Sequence, residues 1–183
     1  REQQPSVEEA PKKQVETWVA NDISRGGIGA LVPKAAVASL RVGQIVGLML
    51  ATENTWMVGQ VRRFFYPSDR MAGVGIQVLS YQPACVTLRS TLNPEIFTWE
   101  RFAGIAQYDL ANGLFLRPLE GGQEAPILLL ERGAFGKSPA FVFMYQEEWL
   151  LVRLLEVIEE GEDYERVGYE VLDRLSIRPK NAE

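Results

Sequence analysis

Apolar and polar residues alternate with a period of two over most of this chain, and glycine-rich or polar stretches interrupt the alternation at short intervals. That is the pattern of half-buried strands joined by turns. Val15-Glu16-Thr17-Trp18-Val19-Ala20 opens the ordered part, and further strands are predicted over Ile28 to Val32, Ile45 to Ala51, Thr55 to Tyr66, Ala72 to Leu79 and Ala84 to Arg89. The alanine-rich stretch Lys34 to Leu40 suits a short turn of helix. Six strands with short connections are enough to close, or nearly close, a barrel.

Beyond Ser90 the pattern continues. Phe102 to Tyr108, Gly113 to Arg117, Ile127 to Leu130 and Phe141 to Tyr145 read as strands, separated by turns at Asn112-Gly113, Glu120-Gly121-Gly122 and Ser138-Pro139. Residues 147 to 160 fit either a helical stripe (Trp149, Leu150, Leu151, Leu154, Leu155, Ile158) or a long strand. The alternation of Glu165, Val167, Tyr169 and Val171 after Gly161-Glu162-Asp163 suits a hairpin returning across that segment and favours the strand. The expected architecture is mainly β with few short helices: a polar linker or disordered segment at 1–13, a six-stranded antiparallel barrel at 14–90, and a second β-rich unit at 91–183.

With 183 residues, 46% of them hydrophobic, the chain can bury a substantial core. No apolar run is long enough for a membrane-spanning helix, since even Leu150-Leu151-Val152-Arg153-Leu154-Leu155 carries a charge, so no membrane insertion and a cytoplasmic setting are expected. The net charge of −5 argues against binding nucleic acid through many phosphates. Cys85, the single cysteine, is expected as a small buried hydrophobe. Histidine is absent, so neither a Ser-His-Asp nor a Cys-His nucleophile can be assembled, and no metal site is expected. Glu147-Glu148, Glu159-Glu160 and Glu162-Asp163 read as solvated charge. Gly136-Lys137-Ser138 ends like a phosphate-binding loop, but Glu131 stands where its first glycine would fall.

The segment with most chemistry is Asp22-Ile23-Ser24-Arg25-Gly26-Gly27. Asp and Ser carry short polar side chains that bond to backbone or project to a ligand, and adjacent glycines let a ligand approach the chain closely. Arg25 adds a planar donor fork suited to phosphate or a guanine edge. The same residues also occur together simply because a turn needs them.

Downstream of that segment come Leu40-Arg41-Val42-Gly43-Gln44-Ile45-Val46, Trp56-Met57-Val58-Gly59-Gln60-Val61-Arg62-Arg63-Phe64 and Gly73-Val74-Gly75-Ile76-Gln77-Val78-Leu79. In this order the series resembles the PilZ domain family, bacterial receptors for cyclic di-GMP, over about residues 14–90. The resemblance implies a small antiparallel barrel that binds the dinucleotide on its outer surface, with Asp22, Ser24 and Gly27 touching it and Arg25 and Gly26 beside them. It also implies an upstream Arg-x-x-x-Arg that grips phosphates. No such motif precedes Trp18, where the only basic residues are Arg1, Lys12 and Lys13. A chain opening on Arg is expected of an excised segment of a longer protein or of a processed chain, with Arg1 either the last arginine of that motif or the motif lacking from the protein altogether.

Arg62 and Arg63 complete the expected ligand-binding set, and Arg41 and Arg70 could converge with them. Consecutive strand residues face opposite ways, so at most one of Arg62 and Arg63 is expected at a common site. Trp18, Trp56, Trp99 and Trp149 are expected in the core, with base stacking as the alternative. The expected function is a signalling receptor, not an enzyme and without a cofactor, that passes cyclic di-GMP binding to a protein partner or neighbouring domain by conformational change. The alternative is a PilZ-like scaffold without nucleotide, serving protein interaction or assembly, for which the missing arginine motif is the ground.

Overall fold

The computed structural model describes residues 15–91, 93–104, 109–117 and 126–176. The first five strands are β1 (Val19–Ser24), β2 (Gly27–Pro33), β3 (Ile45–Met49), β4 (Trp56–Phe65) and β5 (Met71–Ser80). They form one antiparallel sheet in the order β1-β2-β5-β4-β3. One face is apolar: Ala30, Val32, Val61, Ala72, Val74 and Ile76 pack with Val37 of a single 3-10 turn over Lys34–Val37, and Trp18, Leu40 and Phe64 close around them.

The remaining strands are β6 (Ala84–Thr91), β7 (Leu110–Leu116), β8 (Ile127–Glu131), β9 (Ala140–Tyr145), β10 (Glu148–Glu160) and β11 (Tyr164–Ser176). They close into a six-stranded antiparallel barrel, in the order β10-β11-β8-β7-β6-β9. Leu88, Leu128, Phe141, Phe143, Val152 and Val167 fill its interior. The chain is therefore mainly β with a closed barrel, but the closed barrel lies downstream of where the strand count put it. β5 already has β2 on one edge and β4 on the other, so the chain leaves the sheet through Tyr81-Gln82-Pro83 and β6 pairs with β7 and β9 instead.

Several local expectations change for identifiable reasons. Residues 99–104 form a helix, α1 (Trp99–Gly104), where a strand from Phe102 was expected. Thr98 Oγ1 accepts from Arg101 N at 3.3 Å, and Trp99 and Phe102, one turn apart, both pack with Phe97. Residues 105–108 of that expected strand, the Glu120-Gly121-Gly122 turn and the 1–13 segment lie outside the described residues. Asn112-Gly113 lies inside β7, not in a turn. A Cβ on Gly113 would meet Leu130 Cδ2 at 2.8 Å and Leu88 Cδ1 at 3.0 Å, so glycine here permits barrel closure. Residues 148–160 are a strand and 164–176 return antiparallel to it, as the alternation indicated.

Cys85 is exposed, because Val86 and Leu88 take the inward positions of β6. Trp18, Trp99 and Trp149 pack against apolar clusters, while Trp56 is 52% exposed and lies over Gly47. No helix among the described residues is long and apolar enough to cross a membrane.

The sheet and the barrel meet along an apolar seam of Val58, Ile45 and Leu79 against Leu116, Leu129 and Tyr164. This seam covers the β3–β4 end of the sheet face opposite its own core. The β1–β2 end of that face stays open.

Candidate functional site

The Asp22–Gly27 motif is less of a turn than its composition suggests. Asp22 and Ser24 lie in β1, and only Arg25-Gly26 form the two-residue connection to β2. Gly26 O accepts from Val78 N at 3.0 Å, and Arg25 O accepts from the Tyr81 hydroxyl at 2.8 Å, so β5 and the residue after it brace the tip. Ser24 Oγ donates to Gly27 O at 3.2 Å and keeps its lone pairs free to accept. Both side chains are exposed.

Strand register then assembles the site. Asp22 opposes Gly29, Gly29 opposes Gly75, and Gly75 opposes Arg63, so these residues share one face in a line across β1, β2, β5 and β4. Three strand spacings separate Asp22 from Arg63, about 14 Å between backbones. The neighbouring line runs Ser24, Gly27, Gln77. A third runs Leu31, Gly73, Phe65. The face is thus floored by Gly27, Gly29, Gly73 and Gly75, and walled by polar residues on β1 and large cationic and aromatic ones on β4. Arg63 lies across Gly75 and the Phe65 ring lies across Gly73, where a Cβ would meet them at 2.8 Å and 2.0 Å respectively.

Both arginines of the pair reach this face. A β-bulge inserts Arg62 between Val61 and Arg63, which resets the alternation. Arg62 Nε donates to Gln77 Oε1 at 2.7 Å, and Gln77 has the same parity as Gly75. The expectation that at most one could face a common site is overturned by that single extra residue.

Of the residues expected from sequence, Asp22, Ser24, Gly27, Arg62 and Arg63 come together on this face, with Arg25 and Gly26 at its tip. Arg1 lies outside the described residues. Arg41 pairs with Glu162 at the sheet–barrel junction, and Arg70 is exposed in the β4–β5 loop, so neither joins the group. Gly29, Gly73, Gly75 and Gln77 were not among the expected ligand-binding residues. Their signal is the period-two glycine in Gly27-Ile28-Gly29 and Gly73-Val74-Gly75, which puts paired glycines on one strand face.

Arg62 also reaches the barrel. Its guanidinium lies 3.6 Å from Glu159 Oε1 on β10. Glu159 is bonded in addition by Arg166 at 2.8 Å, by the Tyr164 hydroxyl at 3.2 Å and by the buried Gln60 amide. Partial burial pushes the Glu159 carboxyl up. The Gln60 bond, the two guanidiniums and the Tyr164 hydroxyl outweigh this and hold it below the usual carboxylate range. Burial, and then the nearby Glu159 charge, push the Tyr164 hydroxyl up. Two arginines share this one carboxylate, which leaves positive charge in excess at the edge of the glycine floor.

In the 132–138 loop, Gly133 N and Phe135 N donate to the Glu165 carboxylate at 2.7 and 3.0 Å, so those amides already hold an anion from the chain itself. Among the described residues no three His, Cys, Asp or Glu side chains converge as a metal ion requires. A groove of about 460 Å³ runs along the outside of the barrel between Ile45 and Glu131, and its lining is mostly apolar.

Chemically, the glycine-floored face offers a carboxylate and a hydroxyl oxygen on one side and two guanidiniums on the other, with half-exposed backbone between them at Gly27 and Gly29. A carboxylate accepts from adjacent N–H groups, whereas arginine donates to phosphate or to the O6 and N7 of guanine. Compared with family models, with curated proteins and with solved structures, the chain finds no match.

Proposed function

We propose that this chain is a receptor module for cyclic di-GMP, bound across the glycine-floored face of the five-stranded sheet. The observation that carries the reading is the transverse line Asp22–Gly29–Gly75–Arg63. It sets a guanine-edge acceptor and a phosphate- or base-binding cation on opposite sides of a floor with no side chains of its own. Arg62 beside Gln77 and the excess positive charge at Glu159 add to it, in a chain whose net charge is −5. Asp22 and Ser24 accept from the guanine N–H groups, Arg62 and Arg63 neutralise phosphate, Gly27 and Gly29 allow close approach, and Gly75 makes room for the Arg63 side chain. No bond is made or broken. The module works in bacterial signalling in the cytoplasm and passes occupancy to a partner or neighbouring domain.

Calorimetric titration with cyclic di-GMP tests this. Saturable binding is expected, and Asp22→Ala and Arg63→Ala should each weaken it by roughly 10- to 100-fold, the usual scale for a lost charge-assisted hydrogen bond. Absence of saturable heat, or affinity indifferent to both substitutions, overturns the reading. The scaffold alternative draws on one observation, that Arg62 and the Ser24 proton already have partners within the chain.

A further inference from the structure

Arg62 belongs to two neighbourhoods at once. On one side its Nε donates to Gln77, one residue pair from Gly27 and two from Ser24 across the sheet. On the other its guanidinium faces Glu159 of β10. This second contact is longer and single-toothed, and Glu159 has a closer cation in Arg166 at 2.8 Å. Withdrawing Arg62 therefore leaves Glu159 charged and still paired, so the movement is permitted. It also removes a polar tie between β4 and β10, leaving the bond from the Gln60 amide to the Glu159 carboxylate between those strands and the bond from the Tyr164 hydroxyl of β11 to Gly43 O at 2.9 Å beside it.

We propose that Glu159 is an internal competitor for Arg62, so that an anionic ligand on the glycine floor draws the guanidinium off Glu159 and thereby reports its presence to the barrel. This rests on the nucleotide reading above and adds the route by which occupancy leaves the site. A carboxylate and a ligand phosphate contend for the same cation. By linkage, whatever favours Glu159's hold on Arg62 weakens the ligand to the same degree, and ligand loosens the junction. The bulge puts Arg63 beside Arg62 on the ligand face, so a ligand there meets both guanidiniums while Arg62 stays within reach of β10.

The test is a double-mutant cycle on the whole chain, read by calorimetry with cyclic di-GMP. Glu159→Gln is expected to tighten binding about fivefold or more, the lower range of allosteric couplings. In an Arg62→Ala background the same substitution should change affinity by less than about twofold. In the wild-type chain, ligand should speed hydrogen exchange at the β10–β11 tip, residues 158–166. Glu159→Gln binding that is equal or weaker, with no exchange response at the tip, overturns the proposal while Asp22-dependent binding leaves the nucleotide reading standing. Absence of binding in every variant removes both. Should Glu159→Gln fail to fold by circular dichroism, Glu159→Asp and the wild-type exchange response decide.

Discussion

A methyl group at Gly75 would sit 2.8 Å from Cγ and 2.9 Å from Nε of Arg63, whereas one at Gly27 would sit 3.1 Å from the carbonyl oxygen of Ile76. The two clashes differ in kind. A flexible side chain can move aside, but a sheet carbonyl is fixed by its ladder. Gly75→Ala is therefore expected to keep the stability of the sheet, judged by urea unfolding, and to weaken cyclic di-GMP roughly tenfold by displacing Arg63. Gly27→Ala should lower stability by about 1 kcal/mol. Wild-type affinity in Gly75→Ala would remove the glycine floor from the site. At this scale Asp22 and Ser24 were legible because short polar residues before paired glycines have a chemical reading. Gly29 and Gly75 were not. Their meaning comes from facing each other across β2 and β5, and register is a property of paired strands that neither segment states alone.

Strand alternation identified most elements and failed where a single residue altered the count. The bulge that inserts Arg62 is invisible in a run of Val61-Arg62-Arg63-Phe64, which reads equally well without it. Residues 148 to 160 resolved as β10 because Leu150, Val152 and Leu154 alternate inward and Gly161 begins the return to β11, while bulges at Leu155 and Ile158 create the false helical stripe. The tip of this hairpin carries Glu159, whose carboxyl is held below its ordinary range. The direction of the shift fixes its pH behaviour. With the folded value lowered, the contribution to stability is present above the unfolded carboxylate pKa of about 4.3 and is lost as pH falls through the folded value. Glu159→Gln should therefore give a shallower loss of stability on acidification than the wild-type chain, measured as urea midpoint against pH. Parallel acid limbs would show that the Gln60–Tyr164–Arg166 cluster does not act on this carboxyl.

At the scale of the molecule, the alternation and the number of strands indicated a β protein with a closed barrel but not which strands close. The grouping depends on β5 having both edges taken, a consequence of the order β1-β2-β5-β4-β3 that local patterning does not encode. The seam of Val58, Leu79 and Ile45 against Leu129, Leu116 and Tyr164 then ties the sheet to the barrel, so loss of one should carry the other. Tyr169 gives a way to test this. Its side chain is 3% exposed in the barrel core, and burial, the largest influence on it, pushes its hydroxyl up to about 12 from 10.0. Since the raised value belongs to the folded state, the stabilisation is complete below the unfolded pKa and disappears as pH rises from about 10 to about 12, a loss of roughly 3 kcal/mol. Trp18 and Trp56 report on the sheet, Trp99 and Trp149 on the barrel region. Variants keeping one pair should show alkaline unfolding at the same pH by fluorescence, and Tyr169→Phe should move both midpoints upward together. A sheet signal that outlasts the barrel signal would mean the seam does not couple them, and movement of Arg62 at one side could then reach the barrel only through Glu159 itself.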